Sequence, residues 1–212
     1  MNQPNIKICG ISTPATLDAA IAARADYVGL VFYPPSPRYL PLPRAADLGA
    51  RAAGRIGKVG LFVDAEDAAI VGAVGAAKLE ALQLHGGETP QRAAELRARF
   101  GVPVWKVIAV ASAADIARAD AYAGAADLIL FDAKTPKGTL PGGMGLVFDW
   151  ALLRGYRGAL PWGLAGGLSI DNVTEAVRVT GAPLVDTSSG VESAPGVKDV
   201  DKIAAFCKAA RQ

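Results

Sequence analysis

Short apolar runs alternate along the chain with longer segments of helical periodicity. Eight runs have the length and composition of strands, and they read IKIC, YVGLVF, KVGLFV, ALQLH, VWKVIAV, LILFDA, PWGLA and PLVDTS. Helices are predicted over 14–24, 43–53, 65–77, 90–100, 113–123, 170–180 and 197–210, whereas the helix of the sixth unit, near 150–153, is only weakly indicated. Because the strands are apolar nearly throughout, they need cover on both faces, which indicates parallel pairing.

Eight strand-helix units in succession favour a (β/α)8 barrel. The length of 212 residues is at the small end for this fold, whose typical size is about 250 residues, so the loops must be short. The alternative is a doubly wound open sheet, but no GxGxxG segment follows the first strand. No linker divides the chain. We therefore predict an α/β fold with a single (β/α)8 TIM barrel domain over residues 1–212.

Charge and composition exclude several classes of binding partner for this chain. The formal net charge is +2 and the basic residues are scattered, so neither a nucleic-acid surface nor a membrane surface is predicted, while an anionic small molecule fits. The chain has no apolar run of about 18 residues, and its first residues, MNQPNIK, do not resemble a secretory signal, so we expect the cytoplasm. A single histidine excludes a multi-histidine metal centre, and two cysteines, Cys9 and Cys207, do not make a disulfide framework.

Polar residues accumulate where the predicted strands end. In a (β/α)8 barrel, catalytic groups lie at the C-terminal ends of the strands and in the loops that follow them. Buried ionisable groups need partners or a wet pocket. The residues at these positions are Cys9, Asp64, His85, Asp132 and Asp186. A functional site is therefore predicted at this end of the barrel.

Two Gly/Ser-rich turns follow the last two strands, and they read AGGLSIDN and DTSSGVE. Glycine lets the backbone approach an anion, and exposed N–H groups favour negative charge. Either turn alone is explained by ordinary turn and cap chemistry. Because barrels often hold phosphate in their last two units, the pair predicts a phosphate site.

Cys9 and Asp132 form a second group, whose side chains can take part in proton transfer. A thiol with a lowered pKa can act as a general base, and a carboxylic acid with a raised pKa can donate a proton. Strand alternation places Lys7 on the same side as Cys9, roughly 7 Å along the strand, where its charge favours the thiolate. The alternatives stay open at this point: Cys9 as a small buried hydrophobe, and Asp132 as a helix cap or as the ion-pair partner of Lys134.

Ordered motifs along the whole chain resemble the phosphoribosylanthranilate isomerase family of tryptophan biosynthesis. The motifs are KICGI at 7–11, GLVFYPPSPRYL at 29–40, VGLFVD at 59–64, LQLHGGE at 82–88, LFDAK at 130–134, GGMGLVFDW at 142–150, GLAGGLSIDNV at 163–173 and DTSSGVESAPGVKD at 186–199. The combination of KICG, QLHG and SSGVE-x-x-PG-x-KD is far more specific than any one of them.

The resemblance implies an Amadori rearrangement in a (β/α)8 barrel, without metal or organic cofactor. N-(5′-phosphoribosyl)anthranilate would become 1-(2-carboxyphenylamino)-1-deoxyribulose 5-phosphate. By resemblance, Asp132 is the general acid that protonates the furanose ring oxygen, and Cys9 is the general base that removes the C2′ proton. The resemblance also places Arg38 against the anthranilate carboxylate, which suits the fork of a guanidinium.

The resemblance further implies the remaining binding residues. His85 and Asp186 are expected to line the pocket, and Asp186 could instead form an internal ion pair with Lys7. The phosphate is expected on backbone groups of the last three units: Gly143, Gly145, Gly166, Gly167, Ser188, Ser189 and Gly190. Met144 departs from the Thr or Ser common in the family. We expect a monomer or homodimer that binds a phosphorylated small molecule.

Two other functions were compatible with the fold. One is a different sugar-phosphate barrel, such as a lyase of the indole-glycerol-phosphate synthase type or an epimerase. The single histidine argues against the metal-dependent epimerases. The other is a catalytically silent phosphate-binding barrel, which the intact acid and base positions disfavour.

Overall fold

A computed structural model describes residues 3–135 and 145–212 of the chain. Eight parallel strands pair in chain order, and β8 pairs with β1, so the sheet closes into a barrel. Their bounds are β1 Asn5–Cys9, β2 Tyr27–Val31, β3 Gly57–Phe62, β4 Ala81–Leu84, β5 Val104–Val110, β6 Leu128–Ala133, β7 Trp162–Leu164 and β8 Leu184–Thr187. The predicted (β/α)8 barrel is confirmed, and the open sheet is excluded by the closure of β8 onto β1.

Helices follow most of the strands and cover the outside of the barrel. They are α1 Pro14–Ala22, α2 Leu42–Ala52, α3 Asp67–Ala77, α4 Pro90–Phe100, α5 Ala113–Ala117, α6 Val173–Thr180 and α7 Val200–Ala209. Short 3-10 helices occupy Arg118–Tyr122, Trp150–Leu153 and Ser189–Val191. In the described ranges no helix combines the length and the apolar character that crossing a bilayer requires.

Two helices begin as their sequence signals predict. Thr13 caps α1 by accepting a hydrogen bond from the backbone N–H of Thr16, and Pro14 occupies the first turn. Thr89 and Pro90 repeat this arrangement at the start of α4. Gly101 then ends α4 in the left-handed region, with φ of 63°, which glycine adopts without steric cost.

Other boundaries differ from the prediction. The segment predicted as one helix over 113–123 is α5 followed by a 3-10 turn. The helix predicted over 197–210 begins only at Val200, because Val197–Lys198 forms a short strand, β10, that pairs antiparallel with β9, Glu192–Ala194. Sequence periodicity did not separate these two residues from the helix that follows.

The barrel interior begins with an apolar layer at the end where the strands start. Tyr27 and Leu128 pack against this lower layer, and the ring of Tyr27 meets that of Trp105 edge to face, with centroids 5.0 Å apart. The lower layer consists of Val59, Ala81, Trp105, Val107, Leu130 and Leu184. It closes the barrel beneath the strand ends that carry the polar residues.

Candidate active site

Four of the five predicted strand-end residues meet around one cavity of about 180 Å³ at the C-terminal end of the barrel. Strands β1, β6 and β8 contribute Cys9, Asp132 and Asp186, and the turn after β4 contributes His85. Arg38 reaches the same cavity from the loop after β2. Five of the residues singled out from the sequence are thus brought together, although they are spread over 178 positions of chain.

Asp132 is fixed by its own backbone neighbour and by His85. Its Oδ1 accepts a hydrogen bond of 2.7 Å from the N–H of Ala133, and its Oδ2 lies 3.3 Å from Nε2 of His85. Lys134 pairs instead with Asp115, at 3.6 Å. Because Asp132 lies within β6 and lines the cavity, it is neither a helix cap nor the partner of Lys134.

Cys9 lies at the end of β1 and is 5% exposed. Burial raises the pKa of its thiol, and the positive charge of Lys7 opposes that shift. Lys7 is itself completely buried and donates a hydrogen bond of 2.9 Å to Oδ2 of Asp186. The structure therefore contains the ion pair between Lys7 and Asp186 that the sequence offered as one alternative, directly beside the thiol.

Arg38 belongs to a cluster of charges that was not predicted. Its Nε and Nη2 donate to the two carboxylate oxygens of Glu192 at 2.7 and 2.8 Å, and Lys198 donates to the same carboxylate at 2.5 Å. Burial acts to raise the pKa of Glu192, but hydrogen bonds from Arg38 and Lys198 outweigh it, so this pKa lies below its ordinary value. Two cations share one carboxylate, which leaves the cluster net positive.

Glu192 and Lys198 were visible in the sequence without being singled out. Both belong to the SSGVE-x-x-PG-x-KD motif, and β9 and β10 bring them together across its Pro-Gly turn. Gly10 of the KICG motif packs against this cluster, because a Cβ there would lie 2.8 Å from Cδ of Arg38. The spacing of the motif therefore held a signal for the cluster.

Gln83 is a further cavity residue that sequence reasoning missed. It is 2% exposed, lines the cavity, and its Oε1 has no hydrogen-bond partner among the residues described. It lies on β4 two positions before His85, which directly follows the strand, and both side chains face the cavity. This period of two within the QLHG motif was the available signal.

The turn that carries His85 is held by a second buried ion pair. Lys106 donates to Oε2 of Glu88 at 2.7 Å and to the carbonyl of Gly86 at 2.7 Å. Asp64, a strand-end residue in the sequence, accepts from the N–H of Gly87 at 2.7 Å and does not line the cavity. Asp64 therefore has a structural part in holding this turn.

The glycine pair after β7 lies against the acid. Gly166 and Gly167 have φ of 83° and 64°, and a Cβ on Gly166 would lie 2.8 Å from Oδ1 of Asp132. Within the described part of the chain, nothing accepts a hydrogen bond from the backbone N–H of either glycine. Such open N–H groups in a left-handed backbone are suited to an anion.

The turn after β8 lies beside this pair. Ser189 and Gly190 begin a 3-10 helix, and a Cβ on Gly145 would approach Oγ of Ser189 at 3.9 Å. The Ser188 hydroxyl donates to the carbonyl of Cys9 at 3.1 Å, so this side chain is already engaged. Gly143 lies outside the described residues. Of the remaining predicted phosphate residues, Gly145, Gly167, Ser189 and Gly190 help to line one depression, whereas Gly166 and Ser188 line the cavity that contains Cys9 and Asp132.

Metal ligands need grouped His, Cys, Asp or Glu side chains. Among the residues that the structure describes, no three of these side chains are grouped as such ligands would be. What the cavity does contain is carboxyl groups, a thiol, and a glycine turn with open backbone N–H groups.

The fold and this set of groups define a class: (β/α)8-barrel enzymes that act on sugar phosphates by acid and base chemistry. A family model described as N-(5′-phosphoribosyl)anthranilate (PRA) isomerase matches residues 6–209. A relative from Paramagnetospirillum magneticum, named N-(5′-phosphoribosyl)anthranilate isomerase, is 56% identical over 97% of this chain and 96% of its own. The chain belongs to the N-(5′-phosphoribosyl)anthranilate isomerase family, which confirms the resemblance.

Solved structures agree with this membership. Phosphoribosyl anthranilate isomerase from Thermotoga maritima superposes with a TM-score of 0.88 at 36% identity, with 98% of both chains covered. A phosphoribosyl anthranilate isomerase in complex with reduced 1-(o-carboxyphenylamino)-1-deoxyribulose 5-phosphate superposes with a TM-score of 0.85 at 34% identity, again over 98% of both chains.

Proposed function

We propose that the chain converts N-(5′-phosphoribosyl)anthranilate into 1-(2-carboxyphenylamino)-1-deoxyribulose 5-phosphate, with Asp132 as general acid and Cys9 as general base. The observation that carries this proposal is that both side chains line the same cavity, from strands β6 and β1. Family membership supplies the reaction. A silent phosphate-binding barrel would not need an acid and a thiol on one cavity.

The steps follow from these positions. Asp132 gives its proton to the furanose ring oxygen, and the bond between that oxygen and C1′ breaks as the anthranilate nitrogen forms a Schiff base. Cys9 then removes the proton from C2′, and the electron pair of the C–H bond moves toward C1′ to give an enolamine. Tautomerisation of the enolamine yields the ketone. Each acid or base step of this kind contributes about 10²–10⁴-fold to the rate.

The remaining residues bind the two ends of the substrate. Arg38 is proposed to hold the anthranilate carboxylate, supported by the net positive charge of its cluster with Glu192 and Lys198. His85 and Asp186 are proposed as cavity walls, and we assign His85 no proton transfer. The phosphate is proposed on the turns after β7 and β8 and beside Gly145: Gly166, Gly167, Ser188, Ser189 and Gly190.

The broader predictions are consistent with this function. We propose one domain over 1–212, because β8 closes onto β1 and α7 packs against α1, which joins the two ends of the chain. A monomer or homodimer and placement in the cytoplasm stay predictions from the sequence.

The proposal is tested by following the fluorescence of phosphoribosylanthranilate as it is consumed. Cys9→Ala and Asp132→Asn should each lower turnover by about 10²–10⁴-fold while a reduced product analogue still binds. Cys207→Ala, in a buried helix position, is the matched control for loss of a thiol. Turnover that persists in both active-site variants would contradict the assigned roles, and loss of analogue binding would point to binding instead.

A further inference from the structure

Lys7 is the most unusual residue of the site. It is 0% exposed and stands among the largest fully buried side chains of the protein. Burying an ammonium group is costly unless the charge is paired and hydrogen-bonded. Its position in β1 is opposite Asp186 of β8, and the strand register makes the two residues direct neighbours.

A second buried lysine shows what a purely structural pair looks like. Nζ of Lys106 donates to the carbonyls of Leu84 and Gly86 and to Glu88, so its three donors are used. Nζ of Lys7 donates to only one oxygen in the described ranges, Oδ2 of Asp186. Two of its N–H donors therefore have no oxygen partner, although the group is completely buried.

The thiol of Cys9 lies beside those remaining donors. A Cβ placed on Gly29 would lie 2.7 Å from Sγ of Cys9 and 3.1 Å from Nζ of Lys7, so the two groups flank one spot. Gly29 of β2 is the direct strand partner of Cys9. Any side chain at this position would push the thiol and the ammonium apart, which explains why the strand carries glycine there.

Two positive charges near Cys9 favour its ionised form, while burial and one negative charge oppose it. Burial raises the pKa of the thiol, Lys7 is the strongest opposing influence, and Lys198 of β10 adds a weaker one. Asp186 acts against ionisation, but it also raises the pKa of Lys7 against the effect of burial. The other titratable or charged groups that line the cavity are Tyr33, Arg38, His85 and Asp132.

We propose that Lys7 is a positioning residue for the general base: its ammonium, held by Asp186, stabilises the thiolate of Cys9 that removes the C2′ proton. Gly29 provides the space in which ammonium and thiol approach each other. The proposal rests on the base role of Cys9 under the proposed function. It adds that a buried cation beside the thiol, and not the thiol alone, makes the base competent.

The test measures the thiol directly, without substrate. The chain has two cysteines, so in a Cys207→Ala background Cys9 is the only thiol. Its alkylation by iodoacetamide is followed by mass spectrometry from pH 6 to pH 10. Lys7→Met should lower the rate at pH 8 by about tenfold or more, because the thiolate is the nucleophile and each pKa unit changes its fraction tenfold.

The pH profile of kcat is the second readout. In Lys7→Met the acid limb of the profile should move to higher pH, so that activity recovers as the pH is raised. Cys9→Ala should show no such recovery. A merely structural role of Lys7 would lower kcat at every pH and leave the alkylation profile in place.

Lys106→Met is the matched control, since it also removes a buried lysine from a carboxylate on a neighbouring part of the barrel. It should destabilise the protein and leave the alkylation profile of Cys9 unchanged. If Lys7→Met alone does not fold, the double variant Lys7→Met/Asp186→Asn decides, because it leaves no uncompensated charge. Its alkylation rate should also fall below that of the parent.

Unchanged alkylation in the folded Lys7 variants would overturn the proposal. A different measurement, the turnover of Cys9→Ala, tests the proposed function itself. If Cys9→Ala retained turnover, Cys9 would not be the base, whereas the alkylation profile would still report whether Lys7 sets the charge of its thiol.

Discussion

Above the apolar lower layer of the barrel interior lies an upper layer of polar side chains, which includes Lys7, Asp132 and Asp186. Both layers lie on the same strands, and two residues along a strand separate an apolar position from a polar one. On β6, Leu130 belongs to the lower layer and Asp132 to the cavity. On β8, Leu184 and Asp186 repeat this change. Both positions of each pair point inward, because side chains of a strand alternate with a period of two. On each strand the inward residue of the lower layer therefore contributes to packing, and the next inward residue contributes to the cavity.

The two layers also treat burial differently. The lower layer is built of apolar side chains and is held by packing such as the contact between Tyr27 and Trp105. The upper layer buries Lys7, Asp132 and Asp186, each at most 7% exposed. Charges buried in this way keep their function only if a rigid scaffold fixes their partners. We infer that the lower layer provides that rigidity without taking part in the reaction.

Removing Trp105 is the most demanding test of the separation between the two layers. Its side chain is 5% exposed and central to the lower layer, so Trp105→Ala should lower the free energy of unfolding by about 3–5 kcal/mol. At a temperature where the variant is folded, kcat should stay close to that of the parent. Urea unfolding and the fluorescence assay measure the two quantities.

A fall of kcat in the folded Trp105 variant would contradict the separation of layers. It would mean that packing at the lower level sets the distances among the polar groups above it. Asp132→Asn is the converse variant, since it should reduce kcat and leave the free energy of unfolding nearly unchanged.

The strand pattern explains how much of this arrangement was predictable. Strand β6 was predicted with the bounds that the structure shows, because LILFDA is apolar up to its polar end. The positions of Cys9, His85, Asp132 and Asp186 followed from the rule that parallel strands end at one face of a barrel. These are consequences of period and topology, which a sequence expresses locally.

The charge cluster shows why the rest was not predictable in this way. Glu192 follows β8 by several residues, and Lys198 was assigned to a helix because its neighbours have helical periodicity. Their contact depends on the pairing of β9 with β10 across the Pro-Gly turn, and the helical periodicity of the residues that follow obscured this signal. Gln83 was overlooked for another reason, since a lone glutamine in an apolar strand has no distinctive chemistry in sequence.

A smaller effect tests the link between the glycine turn and the acid. In Gly166→Ala the new Cβ would lie 2.8 Å from Oδ1 of Asp132 and would also clash with the backbone nitrogen of Ala133, in a backbone with φ of 83°. Displacing the carboxyl group by about 1 Å can cost about 10²-fold in rate. We therefore expect kcat to fall by about this factor in the fluorescence assay.

Gly101→Ala is the matched control for that variant. Gly101 also has positive φ, at 63°, but a Cβ there would contact nothing within 4 Å. It should lose about 1 kcal/mol of stability from the left-handed backbone alone and keep its kcat. An equal loss of kcat in both variants would show that backbone strain, and not contact with Asp132, is responsible.

Glu192, which lies between Arg38 and Lys198, gives a weaker test based on pH. Its pKa lies below its ordinary value of 4.5 in the folded chain, so below pH 4.5 the unfolded chain binds more protons. The stability that Glu192 contributes is therefore present above pH 4.5 and is lost as the pH falls through the folded pKa. Glu192→Gln should lower the free energy of unfolding by about 1–2 kcal/mol at pH 7 and flatten its decline in acid.

An exposed pair of the same chemistry completes the comparison. Glu175 receives hydrogen bonds of 2.6 Å from both Nε and Nη2 of Arg178, yet solvent surrounds the pair. Because water and salt screen exposed charges, Glu175→Gln should leave both the stability at pH 7 and its acid limb unchanged. If the two glutamate variants behaved alike, burial of the cluster around Arg38 would contribute nothing to the free energy of unfolding, and this cluster would resemble an ion pair of the protein surface.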